Sequence, residues 1–271
     1  MKKNRTYSEL VCDYGVENTV AGEDSYSERT VGKIKIEHLK IRSREYEKLL
    51  AKRTGDYASI HFDDVCGLSL QQEQDLIGVL AQEMRELLKD KNKRVLVAGI
   101  GNSDFVVDSV GKRVVQKLNV EGNSGVFAAS VDILEHTGIE SVDFIRGIVS
   151  VTCPDAVIVI DSVLTKSGER LSRTLQLSDA GISPGAALGA VKKAIDKEAL
   201  GVPTVAIGVP VVIDSHSMLL DCFDELGIED FEKIEALLKE KKKLFLTPHS
   251  IDFIIERFSY IIARAIEFAV Y

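Results

Sequence analysis

Three continuous apolar runs mark the middle of the chain, at residues 94–101, 156–161 and 204–209. Runs of this kind are typical of strands that are covered on both faces of a sheet. Stretches long enough for a helix separate them, and Val110 and Val114 fall at helical spacing after the first run. Strands that alternate with helix-length connections predict an α/β fold, with a mostly parallel central sheet and helices on both faces.

Shorter periodic segments flank this centre. Residues 34–41 alternate between apolar and polar positions, which predicts a half-buried strand and hence a small N-terminal β-containing extension. Residues 70–88 carry apolar side chains at helical spacing, and Ser69 with Gln72 forms a capping-box signature before them. Apolar positions at helical spacing recur over residues 251–266. We therefore predict a long helix after Ser69 and another at the end of the chain.

Composition narrows the class of protein. The 271 residues include 34 basic and 42 acidic side chains, for a net charge of −8, and 45% are apolar. The acid excess argues against direct binding of nucleic-acid phosphates, which requires a basic surface. No apolar run approaches the roughly 20 residues of a membrane span, and the start of the chain lacks the apolar stretch of a secretory signal. The four cysteines are scattered without a CxxC pair, which favours reduced thiols in a cytoplasmic protein.

Two aspartates follow the first two apolar runs. Asp108 comes after the turn that closes residues 94–101, and Asp161 closes residues 156–161. Ligands bind outside the carboxyl ends of strands in an open parallel sheet, so neighbouring strands would bring these carboxyl groups together. Two close carboxyl groups share one proton, and such a pair can hydrolyse peptide bonds without a metal. The alternative is that each aspartate caps the helix that follows it.

Other motifs in the sequence give weaker evidence about function. Gly99 and Gly101 begin a dinucleotide-like turn, but the third glycine position holds Asp104, whose charge would repel a pyrophosphate. Walker and HExxH patterns are absent from the sequence. Ser162, Ser215 and Ser217 lack a GxSxG setting, which argues against a serine hydrolase built on them. The glycine-rich segment 176–189 is either a wall or lid of a substrate site or a plain surface loop.

Several of these stretches together resemble the germination proteases of endospore-forming bacteria, which are atypical aspartic endopeptidases. The resemblance lies in residues 97–102 with Asp108 and Gly111 downstream, 154–161, 176–185, 200–214 and 246–252. It implies an α/β fold similar to that of hydrogenase maturation proteases. It also implies an enzyme that begins the degradation of small acid-soluble spore proteins during germination, in the forespore or spore core.

The resemblance also assigns roles to residues. It implies that Asp108 and Asp161 are the catalytic pair, acting as general acid and base on a water molecule, with neither metal nor cofactor. The residues expected to contact the substrate are Gly101, Asn102, Ser178, Asp179, Gly181, Pro184 and Gly185.

The family resemblance and the local composition together predict the domain organisation. Residues 1–30 are polar and are expected to form a mobile, propeptide-like segment, while residues 31–271 form one α/β protease domain. Family members are made as zymogens, so we expect an activating cleavage near residues 6–12. The last predicted helix carries aromatic residues on more than one face, which favours a homo-oligomer or burial within the monomer.

Two alternatives remain open at this point. A metal-dependent endopeptidase of the hydrogenase-maturation type would place an acidic metal ligand after the first aspartate, where this chain has Ser109. A divergent paralogue that binds peptides without cleaving them would use the same cleft. The predicted cleft differs from the family pattern at Ser103, Asp104 and Val107, which bears on substrate preference.

Overall fold

The computed structural model describes residues 25–50, 52–89, 94–102, 104–120, 125–184, 193–228 and 230–270. The strands are β1 (Ser25–Val31), β2 (Ile34–Ile41), β3 (Gly55–His61), β4 (Val95–Ile100), β5 (Val126–Val131), β6 (Ala156–Thr165), β7 (Thr174–Ser178), β8 (Thr204–Asp214) and β9 (Phe245–Leu246). The helices are α1 (Arg44–Leu50), α2 (Leu70–Leu88), α3 (Val110–Lys117), α4 (Leu134–Thr137), α5 (Ser141–Thr152), α6 (Lys197–Leu200), α7 (Ser215–Glu225), α8 (Phe231–Lys239) and α9 (Ile251–Val270).

Within these residues the strands form one mixed sheet in the order β1-β2-β3-β7-β8-β6-β4-β5, with β9 paired to β8. Strands β5, β4, β6 and β8 run parallel to one another. Strands β1, β2, β3 and β7 extend the sheet through antiparallel pairs. The predicted α/β class is confirmed, and the parallel part is the half of the sheet that contains the three apolar runs. The N-terminal β-containing extension is the β1-β2-β3 edge.

Helices cover both faces of the sheet, as predicted. Helices α2, α3 and α9 pack on one face, where Phe258 is fully buried and its ring meets that of Phe62 edge-on at 6.1 Å between centroids. Helices α5 and α6 cover the other face through residues that include Ile145 and Leu200. None of the helices in the described ranges has both the length and the apolarity needed to cross a bilayer.

The predicted start of α2 is confirmed. The Ser69 hydroxyl accepts the backbone N–H of Gln72 at 3.3 Å, and the Gln72 side chain accepts the backbone N–H of Ser69 at 2.9 Å. The two side chains therefore satisfy N–H groups that the helix itself leaves without partners. This fixes the first turn of the helix that carries much of one core face.

The N-terminal edge differs from the expectation. Strand β1 begins at Ser25 and pairs with β2 along its whole length, so residues 25–30 are a strand and the boundary predicted at residue 30 falls inside it. The sequence does not predict this strand, because its side chains are largely exposed and do not alternate between apolar and polar. Residues 1–24, with the predicted activation cleavage near residues 6–12, lie outside the described residues.

Two further strands, the edge strand β5 and the central strand β7, were also not predicted. Strand β5 contains Ala128, Ala129 and Ser130, whose small side chains give a weak apolar signal. Strand β7 includes residues 176–178, which the glycine-rich composition assigned to a loop. These three residues are fully buried between β3 and β8, so tertiary pairing overrides the local turn signal.

Candidate active site

The chain turns back on itself where β4 ends. Gly101 has a φ of +148°, and a Cβ at this position would lie 1.8 Å from the carbonyl oxygen of Asp108. The backbone N–H of Asn102 donates to Oδ2 of Asp108 at 2.8 Å, and the Asn102 side chain accepts the N–H of Asp104 at 2.8 Å. The segment after β4 therefore folds over the strand end, and a short 3₁₀ turn at Val106–Asp108 presents the first predicted aspartate there.

The next helix is pressed against two strand ends. A Cβ on Gly111 would lie 2.5 Å from the carbonyl oxygen of Ile160 and 2.6 Å from the backbone nitrogen of Ile100. A Cβ on Gly99 would lie 2.0 Å from the carbonyl oxygen of Gly111. Only glycine permits these contacts, so the first turn of α3, which begins two residues after Asp108, lies directly on β4 and β6.

Asp161 lies on β6 beside this contact. Strand β4 pairs with β6 as far as Gly99 opposite Ile160, so Asp161 is the first residue of β6 beyond that ladder. It pairs instead with Gly208 of β8 and is 4% exposed. The sequence suggested that the strand ends at Asp161, but β6 continues to Thr165 because β8 accompanies it past the end of β4. Asp161 therefore lies inside β6, level with the carboxyl end of β4, and Asp108 lies in the turn that follows that end.

A charged cluster next to Asp108 was not predicted. Lys112, in the first turn of α3, holds its ammonium 2.9 Å from Oδ2 of Asp132, which directly follows β5. His136 lies between two carboxylates, with Nδ1 3.2 Å from Oδ1 of Asp132 and Nε2 3.6 Å from Oδ2 of Asp104. The rule that points to polar residues after parallel strands would have selected Asp132 if β5 had been recognised.

The cluster lowers the pKa of Asp132. Partial burial acts in the opposite direction and raises the pKa. The hydrogen bond from Lys112 and the backbone N–H of Ile133 outweigh it, and the charge of Lys112 and the nearby His136 add to their effect. Asp132 is therefore held as a carboxylate with defined partners.

Two of the predicted substrate residues lie away from the aspartates. Ser178 ends β7 opposite Ala206, whereas Asp161 pairs with Gly208. Because β7 runs antiparallel to β8, the chain after Ser178 leads towards the amino end of β8. Ser178 and Asp179 are consequently placed towards the amino end of β8 and not beside Asp108, and their contact with the substrate stays a prediction.

The following residues have structural partners. Asp179 accepts a backbone N–H of β3 at 2.7 Å and lies 3.5 Å from the Lys89 ammonium. Gly181 has a φ of +79°, and a Cβ there would lie 2.2 Å from the carbonyl oxygen of Ile195. Pro184 is buried, and Gly185 lies outside the described residues. Gly101 and Asn102 are thus the predicted substrate residues that the structure brings to Asp108.

One group of side chains in the described ranges has the spacing of a metal site. His38, Glu83 and Glu86 have ligand atoms within 4.8 Å of one another, on the face covered by α2. The Glu83 carboxylate already accepts Arg29 at 2.5 Å and His38 at 2.7 Å. A guanidinium at this position opposes a second cation, so the group acts as an ion-pair network.

Comparison with known proteins decides the family. A family model described as germination protease matches residues 16–233, a range that contains Asp108 and Asp161. The chain belongs to the germination protease family. The family likeness seen in the sequence is therefore confirmed. Membership also confirms the class of enzyme, a hydrolase that cleaves proteins, and its connection with spore germination.

Individual relatives cover most of the chain. The germination protease of Caldanaerobacter subterraneus subsp. tengcongensis is 33% identical over 87% of this chain and 84% of its own length. Those of Clostridium perfringens strain SM101 and Clostridium tetani are 31% and 28% identical, over 90% and 88% of this chain and 87% and 85% of their own lengths.

Among solved structures, the [NiFe] hydrogenase maturation protease HycI from Thermococcus kodakarensis KOD1 is 16% identical, with a TM-score of 0.41 over 68% of this chain and 99% of that one.

Proposed function

We propose that the protein is an endopeptidase that begins the degradation of small acid-soluble spore proteins, with Asp108 and Asp161 as its catalytic pair. The observation that carries this proposal is the packing of Asp108 on Gly101 at the end of β4, beside the strand that holds Asp161. Family membership supports the protease class. Two carboxyl groups at one strand edge supply the chemistry for hydrolysis without a resident metal.

The surroundings of Asp108 support its assignment as the general base. The Asn102 N–H donates to Asp108, and a hydrogen bond of this kind favours the ionised form of a carboxyl group. Asp161 is the other member of the proposed pair and is almost completely buried. We therefore assign Asp108 as the general base and Asp161 as the general acid.

The reaction then balances in protons. Asp108 takes a proton from water while the water oxygen forms a bond to the scissile carbonyl carbon. Asp161 gives its proton to the amide nitrogen as the C–N bond breaks, and the two new termini separate. Asp108 is then protonated and Asp161 is ionised. Transfer of one proton from Asp108 to Asp161 restores the starting state.

The proposed substrate class fits a cleft at a strand edge. Small acid-soluble spore proteins are unstructured when they are not bound to DNA, so an extended segment can enter without prior unfolding. The net charge of −8 agrees with an enzyme that acts on the protein and does not itself bind the DNA. We place the reaction in the cytoplasm of the forespore and in the spore core.

Cleavage of a purified small acid-soluble spore protein tests the proposal, with and without a chelator. We expect wild-type activity to survive chelation. Asp108→Asn and Asp161→Asn should each lower kcat by at least about 100-fold, the usual contribution of a general acid or base. Asp75→Asn, an exposed aspartate on α2, serves as the control and should cleave like the wild type.

The same experiment separates the alternatives. Activity that disappears on chelation and returns with a divalent metal would select the hydrogenase-maturation type of mechanism. Substrate binding without cleavage by the wild type would select a peptide-binding paralogue. Full activity in either asparagine variant would remove that aspartate from the mechanism.

We further propose that the N-terminal segment is removed on activation and that the enzyme is a homo-oligomer. On α9, Phe253, Tyr260 and Phe268 are exposed, which supports an interface, whereas Phe258 and Ile262 are buried in the monomer. Mass spectrometry of active enzyme should show a new N-terminus near residues 6–12, and an intact N-terminus on fully active enzyme would contradict the cleavage. Sedimentation should show more than one copy, whereas a monomer would contradict the oligomer.

A further inference from the structure

Residues 104–112, which include Asp108, are linked at both ends to the carboxylate of Asp132. Before Asp108, the side chain of Asp104 meets Nε2 of His136, and Nδ1 of the same ring meets Oδ1 of Asp132. After Asp108, the Lys112 ammonium meets Oδ2 of Asp132 at 2.9 Å. The two oxygens of Asp132 therefore contact groups that lead to both ends of residues 104–112.

Asp132 is itself well anchored. It directly follows β5, which pairs with β4 in parallel up to Val131 opposite Ile100. Its Oδ1 accepts the backbone N–H of Ile133 at 2.8 Å, and its carbonyl oxygen accepts the Ser141 hydroxyl at 3.4 Å. A carboxylate fixed to the sheet in this way can hold a segment that contacts the sheet through glycines.

The ion pair between Asp132 and Lys112 is less exposed to solvent than the ion pair between His136 and Asp104. The Lys112 side chain is 10% exposed and that of Asp132 is 31% exposed, whereas Asp104 is 76% exposed. Ion pairs that are removed from solvent are screened less and restrain their partners more than exposed ones. The Lys112 contact should therefore provide most of the restraint, and the His136 contact the smaller part.

We propose that Asp132 is a positioning residue for Asp108, holding residues 104–112 in place from both ends. This inference rests on the proposed function, since positioning matters only if Asp108 reacts. Asp132 does not touch the substrate in this role. It fixes the direction of the Asp108 carboxylate relative to Asp161, and displacement of a reacting group by about 1 Å can cost 100-fold in rate.

The test compares Asp132→Asn with the wild type in two measurements. Steady-state cleavage of a small acid-soluble spore protein should show kcat lowered by about 10- to 100-fold, while KM changes by less than about threefold, as expected for loss of transition-state alignment alone. Backbone hydrogen exchange should become faster in residues 104–112 and stay unchanged in α2.

Further variants test whether Asp132 acts through its partners. Lys112→Met should lower kcat in the same way, and the double variant should be no worse than the more damaged single variant. His136→Gln should lower kcat by a smaller factor. It replaces Asp132→Asn as the test variant if Asp132→Asn does not fold. Restoration of most of the kcat by Asp132→Glu would show that the carboxylate is what matters.

Glu256→Gln is the matched control. Glu256 on α9 forms ion pairs with Arg113 and Lys117 of the same helix α3, but away from Asp108. Its loss should leave kcat and the exchange of residues 104–112 unchanged. An unchanged kcat in Asp132→Asn, or a lowered kcat without faster exchange in residues 104–112, would overturn the inference. If the wild type cleaves nothing, the proposed function fails, and the exchange alone decides whether Asp132 holds the segment.

Discussion

The backbone N–H of Asn102 donates to Oδ2 of Asp108 at 2.8 Å and so closes the turn that follows β4. Both ends of this hydrogen bond depend on Gly101, which lies against the carbonyl group of Asp108. A single glycine thus sets how the carboxylate meets the strand end. The geometry of the candidate site is consequently sensitive to substitutions that add only one carbon.

Gly101→Ala should damage this turn directly. The new Cβ would lie 1.8 Å from the Asp108 carbonyl oxygen, at a φ of +148° that side chains disfavour. We expect kcat to fall by about 100-fold because Asp108 must move by about 1 Å or more. The free energy of unfolding should fall by about 1–3 kcal/mol, as for other strained backbone positions. Cleavage assays and urea unfolding measure the two effects.

Gly147→Ala is the corresponding control. Gly147 lies within α5, and a Cβ there would meet no atom within 4 Å. Alanine favours a helix over glycine by up to about 1 kcal/mol, so this variant should be slightly more stable and fully active. Equal activity of Gly101→Ala and the wild type would show that the turn does not position Asp108 for the reaction.

The sequence could single out Asp108 and Asp161 as candidates because one comes after a strong apolar run and the other closes one. Buried parallel strands have a clear signal, and the position just after one is a defined place in the fold. Asp132 occupies the same kind of place, but the small residues of β5 hide the strand that precedes it. Its contacts with Lys112 and His136 depend on neighbouring strands, which no local pattern specifies.

In the glycine-rich segment 176–189, residues of a strand are predicted as a loop. Its turn-forming residues predict a loop, yet Ser178 ends a central strand and is fully buried. The strand exists because β3 and β8 both offer hydrogen bonds to it. That information is not local, so the direction in which residues 179–184 leave the sheet could not be predicted either.

Ser69→Ala should weaken the start of α2. It removes the hydroxyl that accepts the Gln72 N–H and leaves that donor without its partner. Loss of such a cap costs about 1 kcal/mol in the free energy of unfolding. Urea unfolding measures the loss, and Ser69→Asp should keep the stability because aspartate caps equally well. If alanine and aspartate were equally stable, the cap would not contribute.

Glu83→Gln should lower the free energy of unfolding by more than Ser69→Ala does. Glu83 of α2 is 1% exposed and accepts Arg29 of β1 and His38 of β2, so it joins the helix to the edge of the sheet. Loss of hydrogen bonds to a charged group costs about 1.5–3 kcal/mol, and the partly exposed Arg29 and His38 can be hydrated once the carboxylate is gone. Chemical unfolding should show this loss.

The exposed neighbour Glu86 provides the control for Glu83. Glu86→Gln removes a charge from the same helix and should change the free energy of unfolding by less than about 0.5 kcal/mol. A similar small effect in both variants would show that the Arg29 and His38 contacts do not stabilise the β1-β2 edge.

Glu37 of β2 should make stability depend on pH in the acid range. Burial raises the pKa of its carboxyl group, but hydrogen bonds from His61 and Lys35 and their charges outweigh burial and lower the pKa from 4.5 to about 2. A group whose pKa is lower in the folded state stabilises the protein above its unfolded pKa. That stabilisation is lost as the pH falls from about 4.5 to about 2.

Unfolding of wild type and Glu37→Gln at several pH values measures this contribution. The wild type should be more stable at pH values above 4.5, and the difference should shrink towards zero as the pH approaches 2. Lys35 and His61 are present in both proteins, so their own titration partly cancels in the comparison. Glu45→Gln, at an exposed position on α1, controls for the loss of one negative charge. A difference between wild type and Glu37→Gln that stays constant over this range would mean that the ion pairs with Lys35 and His61 do not stabilise the fold.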